Sequence, residues 1–99
     1  MREFETMFIL NPDRTDEERE GLLERIKGII EKNGGEILAE DHPGNKKLAY
    51  EVQDYTSGFY GLFQFKGEPR VKDELERNFR LMDDVLRFLV IRMEKVKQD

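Results

Sequence analysis

The sequence contains no cysteine. That removes any disulfide framework and any thiol chemistry, and it fits a reducing compartment such as the cytoplasm. There is one histidine, His42, beside a Pro-Gly pair. A lone histidine at a bend reads as an exposed loop residue, and it leaves neither a general base with a nucleophile nor zinc-ligand spacing. No apolar run approaches the length of a membrane span. Met1-Arg2-Glu3-Phe4 opens no signal-peptide apolar region, so no membrane or secretory signal is expected. Gly34-Gly35 follows a helical pattern rather than a strand, the wrong context for a phosphate loop. The acids Asp16, Glu17, Glu18 and Glu20 follow the logic of a helix start and do not match a calcium loop. No catalytic residue, metal, cofactor or small-molecule substrate is expected. Positive charge is also in deficit: 17 Lys and Arg stand against 22 Asp and Glu, a formal net charge of -5. Broad non-specific nucleic-acid binding is disfavoured, while a local basic patch stays open.

What is present is periodic. Ninety-nine residues suffice for one small core. Phe4 to Leu10 is rich in strand formers, with Phe4, Thr6, Phe8 and Leu10 on one face. Asn11-Pro12-Asp13 turns the chain. Thr15 and Glu18 form a capping box, and Leu22, Ile26, Ile29 and Ile30 then recur at helical spacing, with Leu23 beside them. Asn33-Gly34-Gly35 stops that helix. Two strand segments follow, Glu36–Glu40 and Lys46–Gln53, interrupted at Asp41-His42-Pro43-Gly44 by a turn, bend or bulge. Asp54 to Gly58 reads as a turn and Phe59–Phe65 as a strand. Pro69 opens a second helix carrying Val71, Leu75 and Phe79, and Val85–Met93 is the last strand.

The order β-α-β-β-α-β is that of the split-βαβ, ferredoxin-like sandwich, an α+β fold. Its four-stranded antiparallel sheet has both helices on one face, with the first and third strands central. The domain is expected over 1–95, with a short flexible tail over 96–99. If Phe4, Phe8, Phe63, Phe65, Phe88 and Val90 face the helices, the other face carries Met7, Ile9, Tyr60, Leu62, Leu89 and Ile91, with Arg87 among them. Contiguous apolar surface of that kind marks an interaction site, for a partner or for a second copy of the chain.

Two nucleic-acid-binding resemblances follow. The RNA-recognition motif has the same element order and stacks bases on aromatics of its first and third strands. Met7 to Asn11 and Gly58 to Phe65 loosely resemble its two boxes, one residue out of register and with Ser57 where a basic residue is usual. The second resemblance runs nearly end to end. Met1-Arg2-Glu3-Phe4-Glu5, Asn11-Pro12, Gly44-Asn45-Lys46-Lys47-Leu48-Ala49-Tyr50-Glu51-Val52, Gly58-Phe59-Tyr60 and Asp83 to Arg92 are similar to the bacterial small-subunit ribosomal protein six family. The family commonly has Trp directly before the glycine, where this chain has His42-Pro43, and often a basic residue in place of Asn45.

The resemblance implies a non-catalytic, ribosome-bound protein of the cytoplasm. It would bind the central domain of small-subunit ribosomal RNA together with ribosomal protein eighteen. A basic partner would reconcile RNA binding with an acidic chain. The candidate RNA contacts are Arg2, Lys46, Lys47, Tyr50, Arg87 and Arg92. Arg2, Arg87 and Arg92 are placed at sheet ends nearest the RNA. Lys46 and Lys47 are equally readable as solvated lysines of an edge strand, and Tyr50 as an ordinary half-buried tyrosine. The candidate partner contacts are Met7, Ile9, Tyr60, Leu62, Leu89 and Ile91. A free-standing interaction module without an RNA role is the rival reading.

Overall fold

The computed structural model of the chain describes residues 2–94. The tail expected over 96–99 lies outside them. Six elements follow in order: β1 (Arg2–Leu10), α1 (Asp16–Lys32), β2 (Glu36–Val52), β3 (Tyr55–Gly67), α2 (Pro69–Leu81) and β4 (Val85–Met93). The sheet runs β2-β3-β1-β4 and every neighbouring pair is antiparallel. This is the ferredoxin-like topology, with β1 and β3 at the centre.

Local chemistry sets the helices. The Thr15 hydroxyl accepts the Glu18 N–H at 3.1 Å, and the Glu18 carboxylate accepts the Thr15 N–H at 3.0 Å, so the capping box closes in both directions. The bonds that the Glu18 carboxylate accepts, first from the Thr15 N–H and then from the Thr15 hydroxyl, hold it below the usual carboxylate range. At the other end of α1 the Gly34 N–H reaches the Glu31 carbonyl and the Gly35 N–H the Ile30 carbonyl, a Schellman pattern that satisfies the final turn. Pro69 stands in the first turn of α2.

One core lies between the helices and the sheet. Phe4, Phe8, Leu10, Phe63 and Phe65 from the central strands meet Leu23, Ile26 and Ile30 of α1 and Val71, Leu75 and Phe79 of α2. Phe8 stacks on Phe63 at 5.8 Å between ring centres, and Phe79 on Phe88 at 5.0 Å. Each fully buried phenylalanine contributes about 1.5–3 kcal/mol. Thr6 is also fully buried, and its hydroxyl donates to the Leu89 carbonyl at 3.0 Å.

The β2–β3 hairpin departs from the sequence reading. β2 is one 17-residue strand rather than two pieces, and β3 starts at Tyr55 rather than Phe59. The turn is confined to Gln53 and Asp54, both in the left-handed region with φ of 50° and 68°. Such a two-residue turn matches the twist of its strands, so pairing runs to the tip. β2 stays in the ladder by absorbing extra residues at three register shifts: Ile37/Ala39, Asp41/Gly44 and Lys47/Val52. Strand alternation alone does not anticipate such shifts.

His42 is the second correction. It is not an exposed loop residue. Its side chain is 16% exposed, with the ring edge-on to Phe63 at 5.2 Å. The Leu62 N–H donates to His42 Nδ1 at 3.2 Å, and His42 Nε2 meets the Glu40 carboxylate at 3.0 Å. Those partners assign the proton to Nε2.

Candidate interaction face

Register decides which side chains share the uncovered face, because residues directly opposite each other in a ladder point the same way. Three rows cross the sheet. Tyr60, Ile9 and Arg87 form one; Leu62, Met7 and Leu89 the next; Gln64, Glu5 and Ile91 the third. All six candidate partner contacts therefore fall on one surface, with Arg87 in the same row as Ile9. None of the six belongs to the buried core, and Leu89 is 53% exposed. Beyond these rows the face turns charged, with Glu3 between Lys66 and Met93, and Lys66 paired to Glu36 at 3.5 Å. The face thus grades from ion-paired at one end to apolar and basic at the other.

The hairpin extends the apolar end. β1 stops at Leu10 opposite Phe59, while β2 and β3 continue as a ribbon of two strands. Gly44 lies opposite Tyr60 and Lys46 opposite Gly58, which places Lys46 on the open face. Lys47, opposite Ser57, points to the other side. Gly58 permits a close approach here: a Cβ on it would overlap the Ile9 methyl, and Leu48 Cδ2 would lie 3.7 Å away. Ile9 and Leu48 both lie close over this glycine, and Leu48 is buried there outside the main core. The four residues Leu48 to Glu51 span the widest register shift, and Tyr50 projects from it with 83% exposure.

The candidate cations separate into groups. Arg87 and Lys46 share the open face. Arg92 lies opposite Phe4 and Arg2 opposite Gly67, so both point to the helix side at the far end of the sheet. The structure therefore does not unite Arg2 and Arg92 with Arg87, contrary to their expected common placement. Among the described residues, none of Arg2, Lys46, Lys47, Arg87 and Arg92 forms an ion pair. Arg14, by contrast, is held by Asp84 at 2.9 Å.

A groove of about 610 Å³ runs from Gln53 at the hairpin tip to the start of β4, lined in part by Arg80, Arg87 and Phe88. The Arg80 guanidinium stands 5.9 Å over the Phe88 ring. Arg80 and Leu48 were outside the expected site. Arg80 sits in the last helical turn, where a basic residue has a capping role of its own. Leu48 was legible only as part of a motif. Among the described residues no cluster of His, Cys, Asp or Glu is arranged to hold a metal ion.

This face and its hairpin are carried by a chain whose residues 3–92 match the family model described as Ribosomal protein S6. The chain belongs to the ribosomal protein S6 family. Small ribosomal subunit protein bS6 of Caldanaerobacter subterraneus subsp. tengcongensis is 49% identical over 94 residues, covering 95% of this chain and 99% of that one. The bS6 of Thermoanaerobacter pseudethanolicus is 47% identical over 95 residues, covering 96% and 100%. The crystal structure of 30S ribosomal protein S6 from Thermotoga maritima superposes with a TM-score of 0.89 at 35% identity, covering 93% of this chain and 87% of that one. S6 proteins are ribosomal structural proteins of the small subunit, and this member of the family is not an enzyme.

Proposed function

We propose that this chain is a ribosome-bound structural component that holds the central domain of small-subunit ribosomal RNA jointly with ribosomal protein eighteen. The open sheet face carries this reading. Its three rows present Met7, Ile9, Tyr60, Leu62, Leu89 and Ile91 uncovered, with Arg87 and Lys46 toward one end. An apolar surface of that extent on a small domain suits a protein partner, and cations at its margin that form no ion pair among the described residues suit phosphate. The acidic chain relies on its partner for most of the phosphate contacts. Tyr50 stands free on the ribbon for stacking or hydrogen bonding. Lys47, Arg2 and Arg92 lie off the open face and play a lesser part.

Leu89→Asp tests the reading, because Leu89 is exposed at the middle row and its loss spares the core. Stability should stay within about 0.5 kcal/mol of the parent, as for ordinary surface changes. Complex formation with ribosomal protein eighteen should weaken by roughly tenfold or more, the scale of a central contact. Partner-dependent retention of a central-domain RNA fragment in a gel shift should weaken with it. A variant that still forms the complex at parent affinity removes the open face as the docking surface. Tight RNA binding by the isolated chain would instead favour an RNA-recognition-motif mode.

A further inference from the structure

The extra residue in β2 between Asp41 and Gly44 has a geometric consequence. Asp41 lies opposite Leu62 and Gly44 opposite Tyr60, so three steps along β2 match two along β3. Without that extra residue, Lys46 would face Ser57 and Lys47 would face Thr56. The two lysines would exchange faces, since a one-residue slip inverts every side chain beyond it.

A bulge interrupts the ladder, and its N–H groups need other acceptors. Here the Leu62 N–H is taken by His42 Nδ1. The ring is in turn fixed by its edge-on contact with Phe63 and by Glu40 at Nε2. Glu40 is anchored to α1 through Lys27 at 3.1 Å. The bulge is thus tied to β3 and to α1 through one imidazole.

We propose that His42 is a positioning residue: by accepting the Leu62 amide inside the bulge, it holds the outer ribbon in the register that puts Lys46, and not Lys47, on the open face. The role of Lys46 in RNA binding rests on the function proposed above, whereas the register itself does not.

Three variants test this by NMR. His42→Phe keeps a ring but removes the acceptor. His42→Asn keeps an acceptor near the Nδ1 position. Deleting Pro43 removes the extra residue, so that Lys46 meets Gly58 with no bulge to hold. In His42→Phe, Leu62 amide exchange should rise roughly tenfold, the scale of one lost hydrogen bond. Cross-strand contacts between Lys46 and Ser57 should also appear. His42→Asn should retain the parent pairing of Lys46 with Gly58. Adding the Pro43 deletion to His42→Phe should restore that pairing, even where His42→Phe alone fails to fold. Parent register and parent Leu62 protection in His42→Phe overturn the proposal. So does slippage in His42→Asn, or failure of the deletion to rescue.

Gel shifts with the partner present then separate this proposal from the functional one. Lys46→Ala should weaken RNA binding in the parent, and Lys47→Ala should do so in the His42→Phe background. If the register moves as expected while neither lysine matters, the positioning role stands and the RNA role of the ribbon falls.

Discussion

β1 and β2 solve opposite problems. β1 pairs on both sides from Glu3 to Leu10, and its one register shift, at Ile9/Leu10, is taken up by an extra residue in the edge strand β4. β2 pairs only with β3 and shifts three times. A central strand has no freedom to bulge, because each extra residue would disturb two ladders and the core beneath. An edge strand has that freedom and can use it to aim side chains. The regular half of the sheet builds the apolar rows. The irregular half decides which charged and aromatic groups stand beside them.

The sharpest way to test that division is to damage each half once. Phe8 is 1% exposed in β1 and packs against Phe63 and Phe79. Phe8→Ala should cost about 3–5 kcal/mol, the usual range for an emptied aromatic site. Urea denaturation should show the loss across all probes at once, as expected when a central strand carries the cooperative unit. In β2, Gly44 has a φ of 93° and open space around it. Gly44→Ala meets no clash, yet a Cβ is strained in that backbone region and should cost about 1–3 kcal/mol. Amide exchange should rise first in the ribbon beyond residue 44, with β1 and β4 protected as before. Equal loosening of both halves by Gly44→Ala would erase the distinction between scaffold and edge.

The same division explains what was legible in the sequence. Strand alternation holds through β1 and through β4 beyond its first two residues, so Phe4, Thr6, Phe8 and Leu10 sort inward and Leu89 and Ile91 outward. The helix signals are local: Thr15 and Glu18 for the cap, and Val71, Leu75 and Phe79 for the buried stripe of α2. The β2 half resisted reading because an inserted residue resets the count, and no propensity marks where. Pro43-Gly44 showed that something interrupts the strand, but not that His42 would turn inward and fill the gap. Choosing between Lys46 and Lys47 needs the observed register. Arg2 and Arg92 part from Arg87 in two ways, standing on the helix side where Arg87 stands on the open face, and at the opposite end of the strands.

The smallest expected effect probes how firmly the irregular half is tied to the scaffold. Glu40 is partly buried, which by itself raises its carboxyl. Hydrogen bonds from His42 and Lys27 outweigh that and hold it below the usual range. A carboxyl lowered in the folded state adds stability at pH above its unfolded value, and that stability drains away as pH falls through the folded value. The window therefore lies at and below about pH 4, under the ordinary carboxylate range. Glu40→Gln removes the titration and should flatten the acid limb of the stability curve there, leaving the variant slightly less stable than the parent at neutral pH. The side chain is 39% exposed, so solvent screens the pair and keeps the effect small. Thermal melts of parent and variant from pH 3 to pH 7 should converge at the acid end and separate slightly toward neutrality. Parallel curves across the range would mean that the tie from β2 through Glu40 to α1 carries no net stability. The bulge would then be held from the β3 side alone, through the Leu62 amide and the Phe63 ring.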